Sequence, residues 1–269
     1  MTSASSLWRR AWRAFYWRAL HPGLRAWQIR RHAGGDRRKL RLVREVQPYT
    51  MVGHERLMNA YDVVLAAVQQ GVPGALVECG VYKGGSAALM AMAAPEKTIW
   101  LFDSFSGLPE PGLEDGAVAR SYAGGRSGGA LEPIDRCVAP LEVVKELFFE
   151  RLKIDPGRVE IREGWFQNTL PAARNELGPV CVLRLDGDWY ESTKVCLESL
   201  YDLVVAGGVV IIDDYGYWEG CRRAVDEFLA SRALDVTLVW VDDSAVWWRV
   251  PLPARPVGAS ASPARFQEK

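Results

Sequence analysis

Two apolar runs each end in carboxylates: Val182-Leu183-Arg184-Leu185-Asp186-Gly187-Asp188 and Val209-Val210-Ile211-Ile212-Asp213-Asp214. A short run of this kind reads as a strand buried on both faces, and its last residue delivers a carboxylate to the edge of a sheet. In open α/β sheets ligands bind at that edge. Three or four carboxylates facing one small space raise each other's pKa unless a positive group sits among them, and an oxygen-only donor set suits a hard divalent cation such as Mg²⁺ or Ca²⁺. Asp186, Asp213 and Asp214 are the candidate metal ligands. Asp186 or Asp188 is the candidate proton acceptor, with Asp188 the better free base.

The elements that must position these acids follow from the flanking pattern. Glu191 to Val205 carries Val195, Leu197, Leu200, Leu203 and Val204 at helical spacing, and Gly207-Gly208 reads as its stop. Strand, right-handed crossover helix and parallel strand set the two acidic tips side by side. Upstream, Ala75 to Cys79 is a short strand running into the glycine turn Glu78-Cys79-Gly80-Val81-Tyr82-Lys83-Gly84-Gly85-Ser86, and Ala87 to Ala94 is helical. Glycines there let the backbone approach a ligand closely, next to free N–H groups at a helix N-terminus. The strand Thr98 to Phe102 ends at Asp103-Ser104, about twenty residues on, where an acid commonly accepts from a ribose diol.

These features point to a nucleoside-type cofactor. A dinucleotide needs a pyrophosphate cradle, usually G-x-G-x-x-G, and this turn has a different arrangement. Glu78 would repel phosphate but favour the sulfonium and amino group of S-adenosylmethionine, so methyl transfer is preferred over hydride transfer. The cofactor is expected against Glu78, Gly80, Tyr82, Gly84, Ser86, Asp103, Ser104 and Asp186, with Gly164, Trp165 and Phe166 beyond a third strand at Val159 to Ile161. Tyr49 and Met51 can join them only if their segment folds over the site.

The rest of the chain is ordinary for its composition, with a charged share of 25% over 269 residues. Residues 1–45 hold twelve Arg or Lys against Asp36 and Glu45, about +10, which leaves about −10 elsewhere. Trp8, Trp12, Phe15, Tyr16 and Leu20 predict a basic amphipathic helix ending near His21-Pro22-Gly23. Such a segment suits an oligomer contact or an anionic membrane surface. No signature beyond charge supports nucleic acid. Gln47 to Gln70 reads as an amphipathic helix; Gly107 to Pro140, without hydrophobic period, as a lid or binding loop. Leu141 to Leu152 and Trp218 to Ser231 read as helices, and Val236 to Val241 with Ala245 to Val250 as a final hairpin. Five unpaired-looking cysteines suggest reduced thiols and a cytoplasmic protein, with peripheral contact at the inner membrane as the alternative placing of residues 1–45. Residues 46–251 form the expected catalytic domain and 252–269 a disordered tail.

The chain resembles the TylF/MycF-type O-methyltransferases. The resemblance rests on Tyr49-Thr50-Met51, Leu76 to Gly85, Phe102 to Pro109, Glu163 to Pro171, Arg184 to Asp188 and Ile211 to Tyr215, in the family's order. It implies a class I methyltransferase fold: an α/β, Rossmann-like, doubly wound sheet, mostly parallel with one antiparallel strand. It further implies S-adenosylmethionine, Mg²⁺ on Asp186, Asp213 and Asp214, and a sugar hydroxyl of a small natural product as acceptor, with a homo-oligomer expected. Gln167-Asn168 departs from the acid the family often carries there. An NAD-type oxidoreductase and a membrane-associated non-catalytic module remain the alternatives.

Overall fold

The computed structural model describes residues 36–251. The aromatic and arginine-rich helix expected before His21 and the tail from 252 lie outside them. Strands β1 (Ala75–Cys79), β2 (Ile99–Asp103), β3 (Val159–Glu163), β4 (Val180–Leu185), β5 (Val204–Ile212), β6 (Val239–Trp240) and β7 (Val246–Arg249) form one sheet in the order β3-β2-β1-β4-β5-β7-β6. All neighbouring pairs from β3 to β5 are parallel, and β7 alone is reversed, lying between β5 and β6. The expected doubly wound sheet with one antiparallel strand is present.

Strands β1, β4 and β5 are apolar because helices cover both of their faces. Along β1, Leu76 packs into the layer formed by α1 (Arg37–Val46), α2 (His54–Gln69) and α3 (Gly85–Ala93), while Val77 and Cys79 face α6 (Phe166–Leu177), α7 (Tyr190–Leu200) and α8 (Glu219–Ser231). This alternation is the period of two that a pleated strand imposes. Helix α1 buries Leu42, Val43 and Val46 and leaves Arg37, Arg38, Arg41 and Arg44 exposed. It runs across the expected boundary at 45, so the end of the basic segment, residues 37–45, packs with the sheet domain. No helix among the described residues is long and apolar enough to cross a membrane, and all five cysteines are free.

Two local expectations are corrected. Gly207-Gly208 does not stop a helix: α7 ends at Leu200, a 3₁₀ turn covers Tyr201–Leu203, and both glycines lie within β5. The β4–β5 register slips between Val180 and Val182, and Gly207 takes φ 82°, as a bulge requires. Their backbone groups pair with Val250 beyond the reversed strand. The segment 107–140 also contains a 3₁₀ turn, Leu113–Asp115, and a two-turn helix, α4 (Gly116–Tyr122), and the short helix α5 (Leu141–Lys145) follows it. Asp115 anchors the segment by accepting from the Gly112 and Tyr190 amides at 2.7 and 2.6 Å.

Candidate active site

At the carboxyl edge of the sheet the strand order switches sides between β1 and β4, which opens a crevice there. A cleft occupies it, placed where open α/β sheets bind their ligands. Its walls include Met51, Gly80, Tyr82, Asp103, Ser104, Gly164, Trp165, Phe166, Asp186 and Asp188, all singled out in the sequence. Gly80 is required by close approach: at φ 90°, a Cβ built there would meet the Asp186 carbonyl oxygen at 1.9 Å. Asp103 ties the first two turns together, its Oδ2 accepting the Val81 and Tyr82 amides at 2.6 and 2.9 Å and its Oδ1 the Phe105 amide at 2.7 Å. A ribose diol would meet only its remaining lone pairs. Burial pushes its carboxyl up, and those amides oppose the shift.

Four of the expected cofactor residues do not line the cleft. Gly84, at φ 88°, turns the chain into α3, whose N-terminus includes the buried Ser86. Tyr49 lies under the Arg151 guanidinium, 5.6 Å from its ring centroid. Glu78 is fully buried because it stands beside Arg184 in the β1–β4 register and faces the helical layer that Leu76 faces. Its partner is therefore Arg184, while Lys83 sits over the Tyr82 ring.

Arg184 is the positive group that the acid-rich tips require, and the sequence reading passed over it. Its guanidinium reaches Glu78 Oε1, Asp186 Oδ2 at 3.0 Å and Asp213 Oδ1 at 2.5 Å. Arg56, from α2, reaches Asp213 Oδ2 at 2.5 Å and Asp242 Oδ2 at 2.8 Å. Burial works against the charge on Arg184, but Asp213, Asp186 and Glu78 hold its pKa well above normal. Burial pushes Glu78 up to about 7 against the pull of Arg184. Asp188 is pushed up to about 8 by burial and by Asp186, and Asp214 rises well above the carboxylate range through burial and its acidic neighbours.

The metal ligands expected from the sequence do converge: Asp186, Asp213 and Asp214 offer oxygens that all lie within 4.8 Å of one another. Asp214 Oδ2 is buried with no hydrogen-bond partner in the described residues. An unsatisfied buried carboxylate oxygen beside two further carboxylates fits a hard divalent cation. Asp188 stands at the cleft beside them and accepts from Trp218 Nε1 at 2.6 Å. The cleft also takes Gly107, Leu108, Pro109 and Cys137 from the segment expected to be a binding loop, together with Gln167, Gly187 and Ser192. Tyr215 and Tyr217 lie outside its lining; Tyr215 donates to Asp226, and Tyr217 is 66% exposed.

The model of the macrocin-O-methyltransferase (TylF) family matches residues 7–250. The chain is 39% identical over 206 residues to the 8-demethyl-8-(2,3-dimethoxy-alpha-L-rhamnosyl)-tetracenomycin-C 4'-O-methyltransferase of Streptomyces olivaceus, covering 75% of each protein. It is 38% identical over 206 residues to the demethyldecarbamoylnovobiocin O-methyltransferase of Streptomyces niveus, again covering 75% of each. Among solved structures, the O-methyltransferase NovP aligns at TM-score 0.66 and 35% identity over 76% of this chain and 83% of that one. The calicheamicin methyltransferase CalS11 shares the fold at TM-score 0.53 and 21% identity, over 80% and 92% of the two chains.

Proposed function

Because the chain belongs to the macrocin-O-methyltransferase (TylF) family, and so is an O-methyltransferase, we propose that it methylates a sugar hydroxyl of a glycosylated natural product with S-adenosylmethionine, assisted by Mg²⁺. The observation that carries this reading is the cleft at the β1–β4 crevice with Asp186, Asp213 and Asp214 converging beside it. A relative named for a rhamnosyl-tetracenomycin supports a glycosylated acceptor.

When bound, the cofactor supplies an electrophilic methyl group on a sulfonium and leaves as S-adenosylhomocysteine. When bound, the divalent cation supplies Lewis acidity that eases ionisation of a hydroxyl near neutral pH. Asp186, Asp213 and Asp214 would hold it, and Arg184 and Arg56 keep those carboxylates in place. Trp165 and Phe166 would offer aromatic faces to the cofactor's base, the Gly80 turn would admit its amino-acid end, and Asp103 would accept from its ribose. Asp188, beside the metal ligands, would take the proton in its ionised form, which the neighbouring cation would favour, as the acceptor's O–H bond breaks, the O–CH₃ bond forms and the S–CH₃ bond breaks. Holding the two reactants in line supplies a further share of the rate.

The test is calorimetric titration of S-adenosylmethionine and S-adenosylhomocysteine, with and without Mg²⁺, into the intact protein and an Asp213→Ala/Asp214→Ala variant. Cofactor binding that survives in the variant while turnover is lost supports the reading. Absence of cofactor binding in the intact protein refutes it.

A further inference from the structure

Trp218 joins two loops that carry the acids. Its indole Nε1 donates to Asp188 Oδ1 at 2.6 Å, in the loop after β4. Its backbone amide and that of Tyr217 donate to the Asp214 carbonyl at 3.1 and 3.0 Å, in the loop after β5. The indole is held edge-on by Trp189, with ring centroids 4.8 Å apart, and is flanked by Tyr217 and Tyr122 at 4.7 and 5.6 Å. Trp189 is itself fixed, donating Nε1 to the Pro109 carbonyl at 2.9 Å. Because close-packed rings leave no room for reorientation, the indole cannot turn without opening this cluster.

Asp188 sits where such a hold has a purpose. Its φ of 59° is left-handed, a region that few non-glycine residues occupy. The preceding Gly187 is crowded: a Cβ there would stand 3.1 Å from Ser192 Cβ and 3.2 Å from the Phe166 ring. The indole bond takes Oδ1 and leaves Oδ2 for the cleft that Asp188 lines.

We propose that Trp218 is a positioning residue: by holding Oδ1 it aims Oδ2 of Asp188 at the acceptor hydroxyl whose proton that carboxylate receives. The proposal rests on Asp188 being the proton acceptor, and the experiment separates the two. The full chain is labelled with ¹⁵N at its tryptophan indoles and saturated with S-adenosylhomocysteine. The Trp218 indole resonance is identified by its loss in Trp218→Phe, which keeps a ring and removes the donor. In Asp188→Ala that resonance moves upfield by more than any other indole, as loss of its acceptor requires; an unmoved resonance overturns the proposal without touching the assignment of Asp188.

Kinetics use 8-demethyl-8-(2,3-dimethoxy-alpha-L-rhamnosyl)-tetracenomycin C, taken from the name of the Streptomyces olivaceus relative, as the probe acceptor. Asp188→Asn is expected to lower kcat by about 100-fold and Trp218→Phe by about 10-fold, with KM for S-adenosylmethionine unchanged, these being ordinary sizes for losing or misaiming a proton acceptor. The double variant is then no slower than Asp188→Asn alone. Losses that multiply mean that Trp218 acts through packing, and they overturn the proposal. A kcat that Asp188→Asn leaves intact removes the proton-acceptor assignment and the proposal with it. If the wild-type chain does not turn over this glycoside, the indole resonance alone decides.

Discussion

Glu78→Gln sets two opposing effects of a buried ion pair against each other. The carboxylate is fully buried and faces Arg184, which also holds Asp186 and Asp213. Removing a partner from a buried pair ordinarily costs about 3–5 kcal/mol, because the remaining charge is stranded. Here the remaining charge keeps two carboxylates. Against that loss stands the raised pKa: burial lifts Glu78 from 4.5 to about 7 despite Arg184. A carboxyl whose folded pKa lies above its unfolded value stabilises the fold when protonated, and that advantage is lost as pH rises through both values. Once both states are ionised the difference is about 3 kcal/mol. Glutamine keeps the shape and cannot ionise. In urea titrations of metal-free protein, Glu78→Gln is therefore expected within about 1 kcal/mol of wild type at pH 5, and about 2 kcal/mol more stable at pH 8.5, with equal m-values. A variant destabilised by about 3 kcal/mol or more at pH 8.5 would refute the reasoning and show that the pair outweighs its desolvation.

Gly80→Ala is expected to abolish S-adenosylhomocysteine binding in calorimetry, since its Cβ would overlap the Asp186 carbonyl at 1.9 Å and φ is 90°. Retained affinity would show that this turn does not shape the cofactor cleft. Asp213→Asn/Asp214→Asn should remove any rise of melting temperature on adding Mg²⁺ while leaving the rise with S-adenosylhomocysteine, as the acids lie beyond the cofactor walls; equal loss of both would contradict the separation. Arg56→Gln breaks contacts to Asp213 and Asp242 from a side chain 23% exposed, so a cost of about 1–2 kcal/mol is expected, read as a melting temperature lowered by about 2–8 °C.

The sheet was legible because its central strands are buried on both faces. That burial compresses β1, β4 and β5 into short apolar runs, and the carboxylates at their ends mark the functional edge. Local signals failed where tertiary pairing overruled them. Gly207-Gly208 looks like a helix stop in isolation, yet the pairing of its amide and carbonyl groups with Val250 draws it into β5 as a bulge. Helix α4 is too short to show a period, and what holds it is the Asp115 carboxylate accepting from Tyr190, 75 residues away. Helix α1 was divided by a boundary set on charge. Its arginines face outward, while Leu42, Val43 and Val46 on its inner side belong to the core.

The acids of the candidate site could be read from the sequence, whereas their counter-charges could not, for a physical reason. A carboxylate at a strand end declares itself, because nothing in an apolar run explains it. Arg184 stands inside such a run, two residues before Asp186, and within Val-Leu-Arg-Leu it passes for an interruption. Yet an arginine in a strand buried on both faces must have partners, since a lone buried charge is too costly. The position two residues later on the same face is the nearest place for one, and strand pairing supplies the others. Arg184 stands opposite Glu78 on one side and Ile211 on the other, with Asp213 two residues beyond Ile211 on the same face. That inference needs only the strand order 1-4-5 and a parallel register. Arg56 offers no comparable signal: it reaches Asp213 across 157 residues of sequence, from a helix whose docking only the folded chain defines.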